Sequence, residues 1–255
     1  MSRPYLTVES VHKYFGGVRA LHDVSFTIDR GQIMGLIGPN GSGKSTMINV
    51  IAGALPPTAG EIYLENRSLR GISISHRVAL GLGRTFQTTK VFPDFTVGEQ
   101  LLAACHTRFR RGPIGSVLRL KLNRHEEKSF ERRVLDLLEF VGLDGTYHTM
   151  VSGISSARQR LLMIATALAG DPGVILLDEP AAGMVAVERR ELVELIKRIK
   201  DRGIGVLLVE HHIGMVMEVC ERISVLNFGA KIAEDRPDAI ANNQQVIDAY
   251  LGQTE

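Results

Sequence analysis

The 255-residue sequence predicts an α/β fold: a mainly parallel sheet with helices on its faces and a helical segment inserted midway. Three observations predict it. Short apolar runs alternate with helix-length segments in the second half, as in sheets buried on both faces. A glycine-rich stretch, GPNGSGKST, stands between one such run and a helical pattern. After Gln87 the pattern turns helical and stays so until about Ala169.

In chain order, YLTVESV, VSFTID, IMGLIG and EIYLE read as strands. Lys44 to Ala52 reads as a helix launched from the glycine-rich loop, and a short strand ends around Gly83–Gln87. VGEQLLAACH and HEEKSFERRVLDLLEFVGL carry apolar residues at helical spacing, and a third helix spans about Ala157 to Ala169. GVILLDE, the helix VERRELVELIKRIKDRG, the strand GVLLVE and ISVLNFG complete the alternation. The expectation is one domain over residues 1–255, with a core of 1–87 and 170–240, a helical subdomain of about 88–169 and a tail of 241–255.

Composition narrows the class. The chain is 44% apolar and 23% charged, ordinary for a soluble globular protein, and its net charge of +2 gives no case for nucleic acid. Cys105 and Cys220 lie far apart without metal-ligand spacing, which points to a reduced cytoplasmic setting. The start MSRPYLTVES has no apolar signal region, and no run approaches the ~18 apolar residues of a membrane span. From His106 to Arg133 nine Lys and Arg face three Glu. That segment reads as a solvated helix pair, or as a face turned to anionic lipid or an acidic partner.

The glycine-rich stretch fits G-x-x-x-x-G-K-[ST] between a strand and a helix, the context that pattern requires. Glycines 38, 41 and 43 let backbone N–H groups curl around phosphate oxygens, and the helix N-terminus and Lys44 add positive charge. The Ser45 hydroxyl is placed to ligate Mg²⁺. In VILLDEP an apolar strand delivers Asp178 to hold Mg²⁺, and Glu179 follows as a general base for an attacking water. A guanine reader of the N-K-x-D kind is missing, and Ala181 replaces the acid of D-E-x-D helicases. Gln87 in RTFQ and His211 in LLVEHH each follow a strand, where an amide can touch Mg²⁺ and an imidazole can donate to a γ-phosphate.

In that order and spacing, these residues make the chain resemble the ATP-binding subunits of ABC transporters over essentially its whole length. The resemblance implies a P-loop NTPase cassette with a mainly parallel core sheet, an N-terminal antiparallel β subdomain and an inserted helical subdomain. It implies an Mg-dependent ATPase coupled to transport. Its ATP-binding loop would comprise Gly38, Pro39, Asn40, Gly41, Ser42, Gly43, Lys44, Ser45 and Thr46, with Mg²⁺ on Ser45, Gln87 and Asp178. Glu179, His211 and Gln87 would be catalytic. Phe15, in KYFGGVRAL, would stack on adenine, a buried core ring being the alternative.

GRTFQ, LLDEPAAG, VLLVEHH and the ending VIDAYLGQ look like the LivG type of branched-chain amino-acid importer. That resemblance implies permease subunits, a second ABC ATPase in a heterodimer, a periplasmic solute-binding protein and a place on the inner face of the cell membrane. A low-turnover ATP-gated switch and a related lipid or lipopolysaccharide exporter are the alternatives. One motif departs from the family. The signature lent to the partner's ATP falls on Ile154, Ser155, Ser156, Ala157 and Arg158, counted by the 178 − 155 = 23 residues from Ser155 to Asp178. Ser155 keeps a capping hydroxyl, but Ala157 is expected to press a Cβ where glycine allows close approach, and Arg158 replaces a neutral amide. Val185 stands where the family usually has Asp or Asn.

Overall fold

The computed structural model describes residues 4–85, 92–109 and 123–251. β1 (Leu6–Phe15) and β2 (Val18–Ile28) form an antiparallel pair, and the fully buried β3 (Ile33–Ile37) leads through the glycine-rich loop into α1 (Lys44–Ala52). β4 (Ala59–Leu64) returns to the free edge of β1 and carries the short β5 (Arg67–Ser68). α2 (Ile74–Ala79) precedes β6 (Leu82–Arg84), after which come α3 (Val97–Phe109), α4 (Asn123–Val141) and α5 (Ser156–Leu168). β7 (Val174–Asp178), α6 (Ala186–Asp201), β8 (Gly205–Val209), α7 (Ile213–Val219), β9 (Arg222–Asn227) and β10 (Ala230–Asp235) follow, then α8 (Pro237–Ala241) and α9 (Gln244–Leu251).

Two sheets result. One is antiparallel, in the order β2-β1-β4-β5; the other runs β10-β9-β3-β8-β7-β6 and is parallel except for its β10 edge. Side-chain alternation then sorts the core strands into two packed layers. Met34 and Leu36 of β3, Val174 and Leu176 of β7, and Leu207 and Val209 of β8 pack with the antiparallel sheet and the buried face of α1. Ile33, Ile37, Ile175, Leu177, Val206 and Leu208 turn the other way, onto the helices α3 to α7. Because both faces are covered, these strands read as continuous apolar runs.

The fold class is as expected, with differences at the edges. β2 begins at Val18, five residues before the end of the mixed stretch VRALHD that hid it, and its first half is largely solvent-facing. β10 is half-buried along most of its length and so shows no alternation, while α2, α7, α8 and α9 are too short for a clear period. The short strand ends at Arg84; Gln87 and most side chains of the basic segment 106–133 lie outside the described residues.

Candidate functional site

The loop after β3 owes its shape to positions no side chain can fill. A Cβ on Gly38 would stand 2.1 Å from the Leu226 carbonyl oxygen, and one on Gly43 would stand 2.6 Å from that of Ala20. Gly38 has φ 148° and Gly43 φ 107°, in the range that favours glycine. The loop thereby curls against β9 and β2 and presents the N-terminus of α1 to a cavity of about 480 Å³. That cavity is lined by residues 40–46, by Val18, Arg19 and Ala20, and by Glu179, His211 and Phe228. The buried Lys44 ammonium lies over the loop, donating to the carbonyls of Gly38 at 2.7 Å and Pro39 at 2.8 Å. Burial lowers its pKa, opposed by the charges of Glu179 and Asp178.

The far end of α1 is fastened too. Arg77, buried on α2, donates through Nη1 to the carbonyls of Val50 (3.0 Å) and Ile51 (2.6 Å), through Nη2 to Leu69 (2.8 Å) and through Nε to Ile72 (3.0 Å). A cation at a helix C-terminus matches the negative end of the helix dipole.

Opposite the loop, β7 ends in Asp178, which is almost wholly buried, and its Oδ1 has no hydrogen-bond partner among the described residues. Oδ2 lies 3.7 Å from Arg84 Nη2. Burial raises the Asp178 pKa, Arg84 opposes that, Glu179 and Glu210 reinforce it, and His211 opposes it. An unsatisfied buried carboxylate oxygen facing a phosphate loop, with the exposed Ser45 hydroxyl at the start of α1, is a hard oxygen set that fits Mg²⁺. Glu179 follows in the left-handed region at φ 49°, a strain that persists where surrounding structure enforces it. Its N–H donates to the Val209 carbonyl at 2.9 Å, fixing it to β8. The His211 Nε2 lies 2.8 Å from Glu179 Oε1, so the imidazole N–H can donate to the carboxylate.

The sequence reading missed several members of this arrangement. Glu210, buried at the end of β8, accepts from the N–H of Ala181 at 2.7 Å and of His211 at 3.1 Å, holding the Glu179 and His211 segments together. It was visible as the acid in VEHH, but nothing in the string says it points inward. Phe228, in the β9–β10 turn, is 82% exposed and lines the loop cavity. Phe15 does not line that cavity; it stands half-exposed at the end of β1 with the Lys13 ammonium 5.0 Å from its ring centroid. It is no buried core ring.

At the altered signature, Ser155 is the N-cap of α5, and its hydroxyl accepts from the Arg158 N–H at 3.3 Å. Ser155, Ser156 and Arg158 are exposed. Ala157 is not: only 7% accessible, it packs its methyl into the core beneath the helix. Its methyl therefore faces the core of this chain.

A glycine-rich loop with its lysine, a buried carboxylate and a second acid at adjacent strand ends, with helices inserted between β6 and β7, are the features of an ABC ATPase cassette. Residues 21–182 match the ABC transporter family, and the chain belongs to it. Residues 230–255 also match the family described as branched-chain amino acid ATP-binding cassette transporter. The chain is 37% identical to the high-affinity branched-chain amino acid transport ATP-binding protein LivG of Salmonella typhimurium, over 99% of this chain and 100% of that one. It is 34% identical to BraF of Pseudomonas aeruginosa, another such transport ATP-binding protein, with 99% and 100% covered. Among solved structures, the ADP conformation of an ATP-binding cassette superposes with a TM-score of 0.85 at 31% identity, covering 99% of this chain and 100% of that one. A dimeric post-hydrolysis cassette bound to ADP and Pi superposes with a TM-score of 0.76 at 26% identity, covering 91% and 98%. The chain is thus an ATPase subunit of an ABC transporter.

Proposed function

We propose that the chain hydrolyses Mg-ATP on the inner face of the cell membrane and powers import of branched-chain amino acids. The observation that carries the chemistry is the Glu179–His211 contact of 2.8 Å across the cavity from the phosphate loop. The full-length likeness to LivG and BraF supports the cargo. In this reading the loop N–H groups and Lys44 hold the phosphates, Asp178, Ser45 and Gln87 hold Mg²⁺, and Glu179 takes the proton of the attacking water while His211 orients it. Mg²⁺, when bound, neutralises charge on the phosphate oxygens. Phe15 stacks on adenine from the edge of the site.

Among the described residues no helix is long and apolar enough to cross a membrane, so a permease must supply the passage. Its seat is a notch of about 530 Å³ walled by α2, β6, α3 and α5, where Val78, Leu82, Phe92, Ala103, Met163 and Ala167 form an apolar lining. A second ABC ATPase subunit completes a heterodimer, receiving Ser155, Ser156, Ala157 and Arg158 over its own ATP, and a periplasmic protein captures the solute. The test is a proteoliposome holding the assembled complex. ATPase activity should rise with leucine, isoleucine or valine on the capture-protein side. Stimulation by ribose or a lipid instead would overturn the cargo.

A further inference from the structure

We propose that Arg84 is a positioning residue that ties the permease-facing notch to the metal-holding carboxylate. The inference rests on the reading of Asp178 as a holder of Mg²⁺. Arg84 ends β6, the edge strand that leads towards Gln87, and it lies opposite Leu176 in register on β7. Arg84 belongs to the wall of the notch, beside Gly83 and Thr85. Its guanidinium points the other way. Nη2 donates to Asn49 Oδ1 on α1 at 2.9 Å and stands 3.7 Å from Asp178 Oδ2, with the two charged side chains only 12% and 2% exposed.

The neighbouring residue makes a second attachment to the same point. The Thr85 hydroxyl accepts from the Asp178 N–H at 3.2 Å and donates to the Leu176 carbonyl at 3.3 Å, while the Thr85 N–H donates to that carbonyl at 3.0 Å. The main chain of Asp178 is hydrogen-bonded to Thr85 and its carboxylate is ion-paired with Arg84, two residues at the end of the strand that borders the notch. Arg84 pairs with Oδ2, whereas Oδ1 is buried with no hydrogen-bond partner among the described residues. The charge of Arg84 at 3.7 Å favours one orientation of the carboxylate, and that cation is fixed in turn to the phosphate-loop helix through Asn49. A change in the wall of the notch at β6 is thereby felt at the metal-holding group.

Groups that orient metal ligands typically change metal affinity about 10–100-fold when removed. The measurement is Mn²⁺ binding to the full chain saturated with ATP in the Glu179→Gln background, with free Mn²⁺ counted by its EPR signal. Arg84→Gln should weaken Mn²⁺ binding about tenfold or more, and Arg84→Lys should recover at least part of that loss. Asn49→Ala, which frees the guanidinium without deleting its charge, should weaken binding about threefold, an intermediate loss on the same scale, and it keeps the proposal testable if Arg84→Gln does not fold. Mn²⁺ affinity within twofold of the parent in whichever of these variants folds overturns the role of Arg84. Asp178→Asn separates the two levels: a loss there without a loss at Arg84 or Asn49 overturns this inference alone. No loss even at Asp178 overturns the metal reading beneath it.

Discussion

Glu179 is held at φ 49° by its N–H bond to Val209, and its carboxylate is held by His211. Such strain costs about 1–3 kcal/mol, and here it aims a side chain into the phosphate cavity. The loop glycines are constrained more severely. Gly38→Ala would drive a methyl to 2.1 Å from a backbone oxygen, so it should abolish ATP binding and lower stability by at least about 1–3 kcal/mol, read by nucleotide titration and melting. The residues the sequence revealed best are those whose chemistry demands a fixed string: loop glycines, Lys44, the Asp178–Glu179 pair and His211. Glu210 and Arg84 were harder to find, because their importance comes from which way they point and from partners 29 and 35 residues away. No local spacing encodes that.

Long elements with both faces buried were legible for the reason that makes them stable: near-continuous apolar runs in β3, β8 and β7 up to Asp178, and an apolar stripe along α4 and α6. Edge strands and one-turn helices carry no such signal, which is why β10 and α2 went unread, although α2 supplies the Arg77 that fastens α1. Arg77→Met should remove all four of these hydrogen bonds, although Val50 and Leu69 keep the N–H groups of Gly53 and Ile72, and cost about 2–3 kcal/mol, seen as a lower denaturant midpoint with unchanged slope. At the N-terminus of α6, Val185 has no side-chain oxygen to cap the helix, and only Glu188 reaches back, accepting from the Val185 N–H at 2.9 Å. Val185→Asp should therefore stabilise the chain by about 1 kcal/mol. At α5 the burial of Ala157 changes what to expect of the altered signature. Ala157→Gly should only cost helix stability, about 1 kcal/mol, with no gain in turnover at the partner's site. Arg158→Gln, on the exposed face, is the substitution that should change that turnover; a faster Ala157→Gly complex would show that backbone approach is limiting.

The two packed layers make one cooperative body around the core sheet, and a buried thiol offers a way to read its integrity. Cys220 packs beneath Gly35 of β3, and burial pushes its thiol up to about 12. The fold therefore favours the neutral thiol. Its contribution is fully present below the ordinary value of 9.0 and is lost as pH rises from there towards 12. Stability should fall above pH 9 by up to about 1.4 kcal/mol per pH unit from this group. Cys220→Ala should show a shallower fall across the same window, and parallel curves would contradict the assignment. The central claim for the whole molecule is that this chain turns over ATP with Glu179 as base. The direct measurement is steady-state hydrolysis by the assembled transporter carrying Glu179→Gln, alongside equilibrium ATP binding. The account predicts that binding survives, because the phosphate loop is untouched, while hydrolysis at this chain's own site falls ~10²–10⁴-fold. Near-normal hydrolysis at that site in the variant would contradict it.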